Sequence, residues 1–215
     1  MSRIITGVAK GAPIRTPRGS ATRPTTDRVR EAVFSTLVDW AGSVGVAPAE
    51  QLQGIGFLDL YAGSGAFALE AASRGASPVV AVERVAAVAD LIHANATSLH
   101  LGVRVAASQV LQYLNSAATP YDIIFLDPPY ETSNAEVTAC LTAIMRSDWL
   151  VDNGIVVVER SIRTPAFEWP IELERRWQKP YGETIIYYGD RGVDPMLGEN
   201  QTAQQTAQQT DTEPL

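Results

Sequence analysis

Four consecutive residues, Asp127-Pro128-Pro129-Tyr130, carry the clearest chemical signal in the chain. They end the apolar run at 121–126, which reads as a short buried strand stopped by prolines. Proline fixes φ and has no N–H, so the chain must leave the sheet stiff and extended. The Asp127 carboxylate and the Pro128 carbonyl then face one point as hydrogen-bond acceptors, with the Tyr130 ring beside them. Such a pair of acceptors and a ring suits a flat group bearing an NH2, such as the exocyclic amine of a nucleobase stacked on Tyr130. The plain alternative is a strand end with a Pro-Pro turn and a half-buried tyrosine, and these residues alone leave both readings open.

A second cluster, Asp59-Leu60-Tyr61-Ala62-Gly63-Ser64-Gly65, follows a buried strand and precedes a helix. Its glycines let the backbone turn sharply and approach a ligand without a Cβ in the way. Glu83 ends the next strand, about 20 residues on, where nucleotide-binding α/β sheets place a carboxylate against ribose hydroxyls. Dinucleotide sites want a third glycine that packs helix on strand, and none follows Gly65 at that spacing. Asp59 would repel a pyrophosphate but suits a ligand bearing an ammonium group. S-adenosylmethionine has that amine, a cationic sulfur and no phosphate. For the glycine pair alone, an ordinary turn between strand and helix remains the alternative.

The elements that must hold these clusters are legible as a periodicity. From Gly56 onward, strands at 57–61, 79–83, 103–106, 121–126 and 154–159 alternate with helices at 67–74, 85–99, 110–114 and 134–146. An antiparallel pair at 173–178 and 183–188 closes the series. Repeated βα units of this kind predict a mostly parallel seven-stranded sheet with helices on both faces, the Rossmann-like α/β class. Ligands of such sheets sit outside the carboxyl ends of the strands, the edge at which both clusters fall. Before this domain, residues 3–16 read as a small basic hairpin. A Gly/Ser/Thr/Pro loop follows, then a helix capped by Thr25 or Thr26. In that helix Val29, Val33, Phe34, Leu37 and Val38 share one face, with Arg28, Arg30 and Glu31 expected to point away from it. The divisions expected are a basic hairpin and loop at 1–24, a catalytic domain at 25–189 and a disordered polar tail at 190–215. The tail's Gln/Thr repeat cannot bury enough apolar surface to offset ordering entropy.

Composition narrows the function classes. No apolar run approaches the ~20 residues of a membrane span, and the first residues lack the apolar core of a secretory signal. Cys140 is the single cysteine, which leaves no disulfide framework or cysteine metal cluster; it reads as inert core. A soluble cytoplasmic protein, no metal and a monomeric state are therefore expected. His93 and His100 read as structural or surface residues. The net charge of −7 disfavours nucleic acid if taken globally. The first forty residues, however, hold seven basic against three acidic side chains, a local +4 on a remainder of −11. A basic segment on an acidic body is a plausible footprint for a phosphate backbone, against the alternative of a solvated arm. As a separable arm, its removal would be expected to spare cofactor binding.

The strings Arg23-Pro24-Thr25-Thr26-Asp27-Arg28-Val29-Arg30-Glu31, Leu58 to Ala66, Glu83 and Phe125 to Tyr130 together resemble the RsmD family of class I S-adenosylmethionine-dependent methyltransferases. Its members methylate the exocyclic N2 of a guanine in 16S ribosomal RNA. The likeness runs from Arg3 to about Tyr188. It implies a catalytic set of Asp127, Pro128 and Tyr130. It implies cofactor contacts from Asp59, Ala62, Gly63, Ser64, Gly65, Glu83, Arg84, Gln109 and Asp127. It further implies RNA contacts from Arg3, Lys10, Arg15, Arg18, Arg23, Thr25, Thr26, Arg28, Pro129 and Tyr130, with a small ribosomal subunit or its assembly intermediate as partner. Competing readings are a DNA adenine or cytosine amino-methyltransferase, a protein-glutamine methyltransferase, and a non-catalytic S-adenosylmethionine-binding RNA chaperone. The chain lacks a sizeable target-recognition domain, which counts against the first.

Overall fold

A computed structural model describes residues 2–17 and 26–192. Arg18, Arg23 and Thr25, and the tail beyond Gly192, lie outside the described residues. The chain opens with β1 (Ser2–Arg3) and β2 (Pro13–Ile14), which pair antiparallel. The expected hairpin therefore forms, with a ladder confined to its ends. Helix α1 (Asp27–Trp40) follows, and the Thr26 side chain caps it by accepting from the Val29 N–H. Then come β3 (Phe57–Asp59), α2 (Ala66–Ser73), β4 (Val79–Glu83), α3 (Ala86–Ser98) and β5 (Val103–Ala107). The second half holds α4 (Val110–Leu114), β6 (Tyr121–Leu126), α5 (Asn134–Arg146), β7 (Leu150–Ser161), β8 (Arg175–Tyr181) and β9 (Thr184–Asp190).

The seven-stranded sheet runs β5-β4-β3-β6-β7-β9-β8. Strands β3 to β7 pair in parallel, and β9 runs antiparallel to both β7 and β8. The strand order reverses between β3 and β6, the position where doubly wound sheets open a ligand crevice. β7 is longer than the apolar run alone suggested. Leu150 already pairs with Tyr121 ahead of an irregularity in the ladder, and β9 carries the pairing on to Ser161.

Alternate residues of each central strand face opposite cores, as the period of a pleated strand requires. Leu58, Val80, Ile124 and Val156 pack with α4 and α5, including Cys140 and Leu141, and with Trp149 just after α5. Phe57, Val79, Ile123, Phe125 and Val157 pack on the other side with α1, α2 and α3. There Phe67 stacks on Phe125 with centroids 3.8 Å apart. That contact pins the start of α2 to the strand that carries Asp127.

The hairpin is part of this packed body. Ile4 and Ile14 are buried against Leu69, Ala96 and Leu101. Glu70, fully buried on α2, accepts from the backbone N–H groups of Ile5 (2.7 Å) and Thr6 (2.9 Å) and from Arg74 Nε (2.9 Å). Asn95 on α3 both donates to the Arg15 carbonyl and accepts from the Arg15 N–H. One expectation is corrected here: Arg30 does not point away from the apolar face of α1 but is buried on it. Its guanidinium donates to the Arg3 carbonyl, to Ser2 Oγ and to Asp27. The positions 30, 34 and 37 do fall on one helical stripe. A buried cation is tolerated there because the hairpin's polar backbone groups meet it. Burial pulls the Arg30 guanidinium below its ordinary value, while Glu70 and Asp27 pull it back. The hairpin is thus not a detachable arm, and its removal would strip the partners from two buried charges.

Candidate active site

The sheet register brings the two chemical clusters to one edge. Asp59 stands level with Ala81 of β4 and Phe125 of β6, so Glu83 and Asp127 each lie two residues further toward the carboxyl edge. Asp59 itself is buried beneath them. Its Oδ2 accepts from the Ala68 N–H at 3.3 Å, and its Oδ1 has no hydrogen-bond partner among the described residues. Burial pushes the Asp59 carboxyl up to about 8; the Ala68 N–H opposes this, and the charges of Asp127 and Glu83 add to it. A buried carboxylate with an unused acceptor is costly to a fold, so such groups persist at sites that receive a ligand.

That cost has a direction in pH. The Asp59 pKa is raised in the folded state, so stability from this group is fully present below its unfolded pKa near 4. It is lost as pH rises toward about 8. Asp59→Asn should therefore raise the melting temperature of the ligand-free protein at pH 8 by several degrees, on the order of one or more kcal/mol, and change it little at pH 4. Thermal melts at both values check this, and an equal shift at both would rule out the ionisation as cause.

Glu83 organises the glycine loop. Its Oε2 accepts from the Gly63 N–H at 3.0 Å and its Oε1 from the Val85 N–H at 2.8 Å. Gly65 caps α2 in the left-handed region at φ +77°, and a Cβ there would lie 2.7 Å from Ile92 Cγ2. At Gly63, also at positive φ, a Cβ would meet nothing within 4 Å. The loop is therefore tight toward α3 and open at Gly63. Ala62 is buried, Ser64 is half-buried, and Arg84 and Gln109 are exposed beside it. The Ser108 N–H donates to the Glu83 carbonyl and draws the start of α4 to the same edge. These residues fit S-adenosylmethionine: Asp59 offers a buried orphan acceptor for an ammonium, Glu83 offers acceptors for ribose hydroxyls, and no phosphate-binding cation stands in the loop.

After β6 the chain leaves the sheet as the prolines dictate. Asp127 and Pro129 are half-buried, Pro128 is buried and Tyr130 is 64% exposed. The Thr132 N–H donates to the Pro129 carbonyl at 3.0 Å and closes the turn. Ser133 and Glu136 form a reciprocal cap on α5 immediately after it. Below the turn, Arg160 at the end of β7 is buried and donates through Nη2 to the Thr132 carbonyl at 2.8 Å. The Tyr61 hydroxyl lies 3.5 Å from Cys140 Sγ on α5.

Arg3, Lys10, Arg15, Thr26 and Arg28 do not join this edge cluster. All are exposed. Arg3 pairs with Asp27 at 3.6 Å. Arg15 is fixed at Asn95, roughly 14 Å along α3 from its start beside Glu83 at 1.5 Å per residue. The basic residues thus line the face of α1, α2 and α3. His93 and His100 are exposed and border a separate cavity of about 1130 Å³ at the amino ends of β4 and β5, away from the carboxylates. Sequence reasoning missed Glu70 and Arg160. Glu70 carried no signal, because its partners are backbone groups 64 and 65 residues distant. Arg160 did carry one: a cation directly after the buried run of β7, at the same edge as Asp127.

A family model described as "Conserved hypothetical protein 95" matches residues 2–190. "Ribosomal RNA small subunit methyltransferase D" of Escherichia coli (strain K12) is 34% identical over 178 residues, covering 80% of this chain and 83% of that protein. "Putative rRNA methyltransferase YlbH" of Bacillus subtilis (strain 168) is 31% identical over 198 residues, covering 88% of this chain and 100% of that protein. Among solved structures, "Putative methyltransferase yhhF from Escherichia coli" superposes with a TM-score of 0.73 at 29% identity, covering 89% of this chain and 98% of that one.

Proposed function

This chain belongs to the conserved hypothetical protein 95 family, the RsmD family, and on that premise we propose that it is an S-adenosylmethionine-dependent methyltransferase acting on N2 of a guanine in small-subunit ribosomal RNA. The observation that carries the reading is the shared edge: Asp59, Glu83 and Asp127 end three neighbouring parallel strands at the switch point, beside an open glycine loop and an exposed tyrosine. The names of the Escherichia coli and Bacillus subtilis relatives support ribosomal RNA as the substrate.

Bound at the glycine loop, S-adenosylmethionine supplies a methyl group made electrophilic by its cationic sulfur. The protein's part is to present the other reactant. Guanine N2 is a poor nucleophile because its lone pair is delocalised into the ring. Asp127 and the Pro128 carbonyl accept its N–H groups and favour a pyramidal nitrogen with the lone pair directed at the methyl. Tyr130, standing out from the turn, stacks on the base once it has left its own stack. Much of the rate then comes from alignment, and Asp127 stabilises positive charge as it grows on nitrogen. The proton leaving nitrogen has Asp127 as its nearest acceptor. The exposed Arg3, Lys10, Arg15 and Arg28 hold phosphates on the adjoining face, a contribution blind to sequence.

Labelled methyl transfer to undermethylated small ribosomal subunits, to free ribosomal RNA and to DNA tests the proposal. Label recovered as N2-methylguanine from the ribosomal substrates supports it; label only in DNA favours the amino-methyltransferase alternative, and cofactor binding without transfer favours a chaperone. Two further outcomes follow. Tyr130→Ala should weaken transfer by roughly 1–3 kcal/mol, the worth of a base–aromatic stack, whereas Tyr130→Phe should be mild; equal kcat/KM in the alanine variant would remove the ring from the site. Replacing Arg3, Lys10 and Arg15 together by Gln should lower RNA affinity and flatten its log–log salt dependence by about 0.7 per lost phosphate contact. An unchanged salt slope in filter-binding titrations would make these residues a solvated surface.

A further inference from the structure

Among the described residues, Arg160 is the buried cation beneath the acceptor turn, and nothing in the reaction as described uses it. In the parallel pairing of β6 with β7, Leu126 lies opposite Val158, so Arg160 stands two residues further on, level with Pro128. Its side chain is 5% exposed. Nη2 donates to the Thr132 carbonyl at 2.8 Å and lies 3.5 Å from Asn134 Oδ1, so one end of the guanidinium holds the segment that follows Tyr130. Nε is buried without a hydrogen-bond partner among the described residues. The structural Arg30 shares such an unused Nε, so what sets Arg160 apart is its place level with Pro128 at the acceptor turn.

We propose that Arg160 is a positioning residue of the acceptor site: its guanidinium anchors the turn after Tyr130 and stands as the cation facing Asp127. The proposal rests on Asp127 being the acceptor. The groups around it fix the sign. Glu83 adds negative charge at this edge, whereas Asp59, pushed up to about 8, is largely neutral at physiological pH. Tyr61, just after β3, and Tyr187 of β9 face Arg160, and burial holds the Tyr61 hydroxyl well above its ordinary value. Arg160 is thus the cation that faces Asp127 at this edge, and the two attract each other. Burial draws its own pKa down, and Tyr61 and Asp127 draw it up. Removing the cation takes away that attraction, which raises the pKa of Asp127.

The discriminating variants are Arg160→Gln, which can still donate to the Thr132 carbonyl but carries no charge, and Arg160→Lys, which keeps the charge but loses the planar fork. The carboxyl titration of Asp127 is followed by 13C NMR, assigned with Asp127→Asn, alongside the pH profile of kcat and calorimetric affinity for S-adenosylmethionine. In Arg160→Gln the Asp127 midpoint and the acid limb of kcat should both move to higher pH by a similar amount, with cofactor affinity changed less than threefold. In Arg160→Lys the midpoint should stay while kcat falls about tenfold. An unmoved midpoint in folded Arg160→Gln overturns the proposal. If Arg160→Gln does not fold, Arg160→Lys decides it, since parental kcat there overturns the anchoring role. A midpoint that moves in a protein with no transferase activity would uphold Arg160 as the counter-charge and refute the function instead.

Discussion

Asp127→Ala is expected to lose roughly 10²- to 10³-fold in kcat, the usual cost of deleting one preorganised group that stabilises transition-state charge, while affinity for S-adenosylmethionine changes little. The split follows from placement. Asp127 lies beyond the end of β6 in a turn closed by the Thr132 N–H on the Pro129 carbonyl. The glycine loop and Glu83 are held instead by bonds that do not involve it. An interaction made chiefly in the transition state lowers kcat and kcat/KM together. Asp127→Asn sharpens the test: its amide oxygen still accepts one hydrogen bond but brings no charge, so activity between parent and alanine variant is expected. Single-turnover methyl transfer with saturating cofactor measures both. Parental rates in Asp127→Ala would return the Asp-Pro-Pro-Tyr string to a structural strand end.

Glu70→Ala should destabilise the protein by roughly 3–5 kcal/mol, because it breaks a buried ion pair from one side. Arg74 would keep Gln51 and its place over the Phe34 ring, 4.8 Å from the centroid, but would lose its charged partner. The Ile5 and Thr6 N–H groups would lose their acceptor as well. For a domain of this size the shift in melting temperature is on the order of 10 °C. Urea unfolding followed by circular dichroism gives the free energy directly, and a loss under about 1 kcal/mol would show that Glu70 contributes little to holding the hairpin. Glu70→Gln should fall between, since one oxygen still accepts. The same packing makes deletion of the hairpin a stability experiment and not a test of RNA contact, which is why charge substitution at exposed Arg3, Lys10 and Arg15 is the cleaner probe.

The sequence alone determined the parts of this protein that depend on local pattern. Alternating apolar runs and helical stripes set the order of strands and helices from Phe57 to Tyr188, because period and breaker residues are properties of neighbours along the chain. Helix boundaries at 110–114 and 134–146 and a cap at Thr25 or Thr26, which the fold resolves as Thr26, were readable for the same reason. Asp59, Glu83 and Asp127 could be assigned to one edge because parallel βα units place every strand's end on the same side. Tertiary structure decided what depends on residues distant in sequence. It extended β7 to 150–161 through pairing with β6 and β9. It turned Arg30 inward, where the Arg3 carbonyl and Ser2 receive it. It made the basic hairpin part of the core through Glu70 and Asn95. It also set Arg160 beneath the acceptor turn and buried Asp59 with one oxygen unpaired. Burial and hydrogen-bond partnership arise only when segments meet, so no window of the sequence contains them.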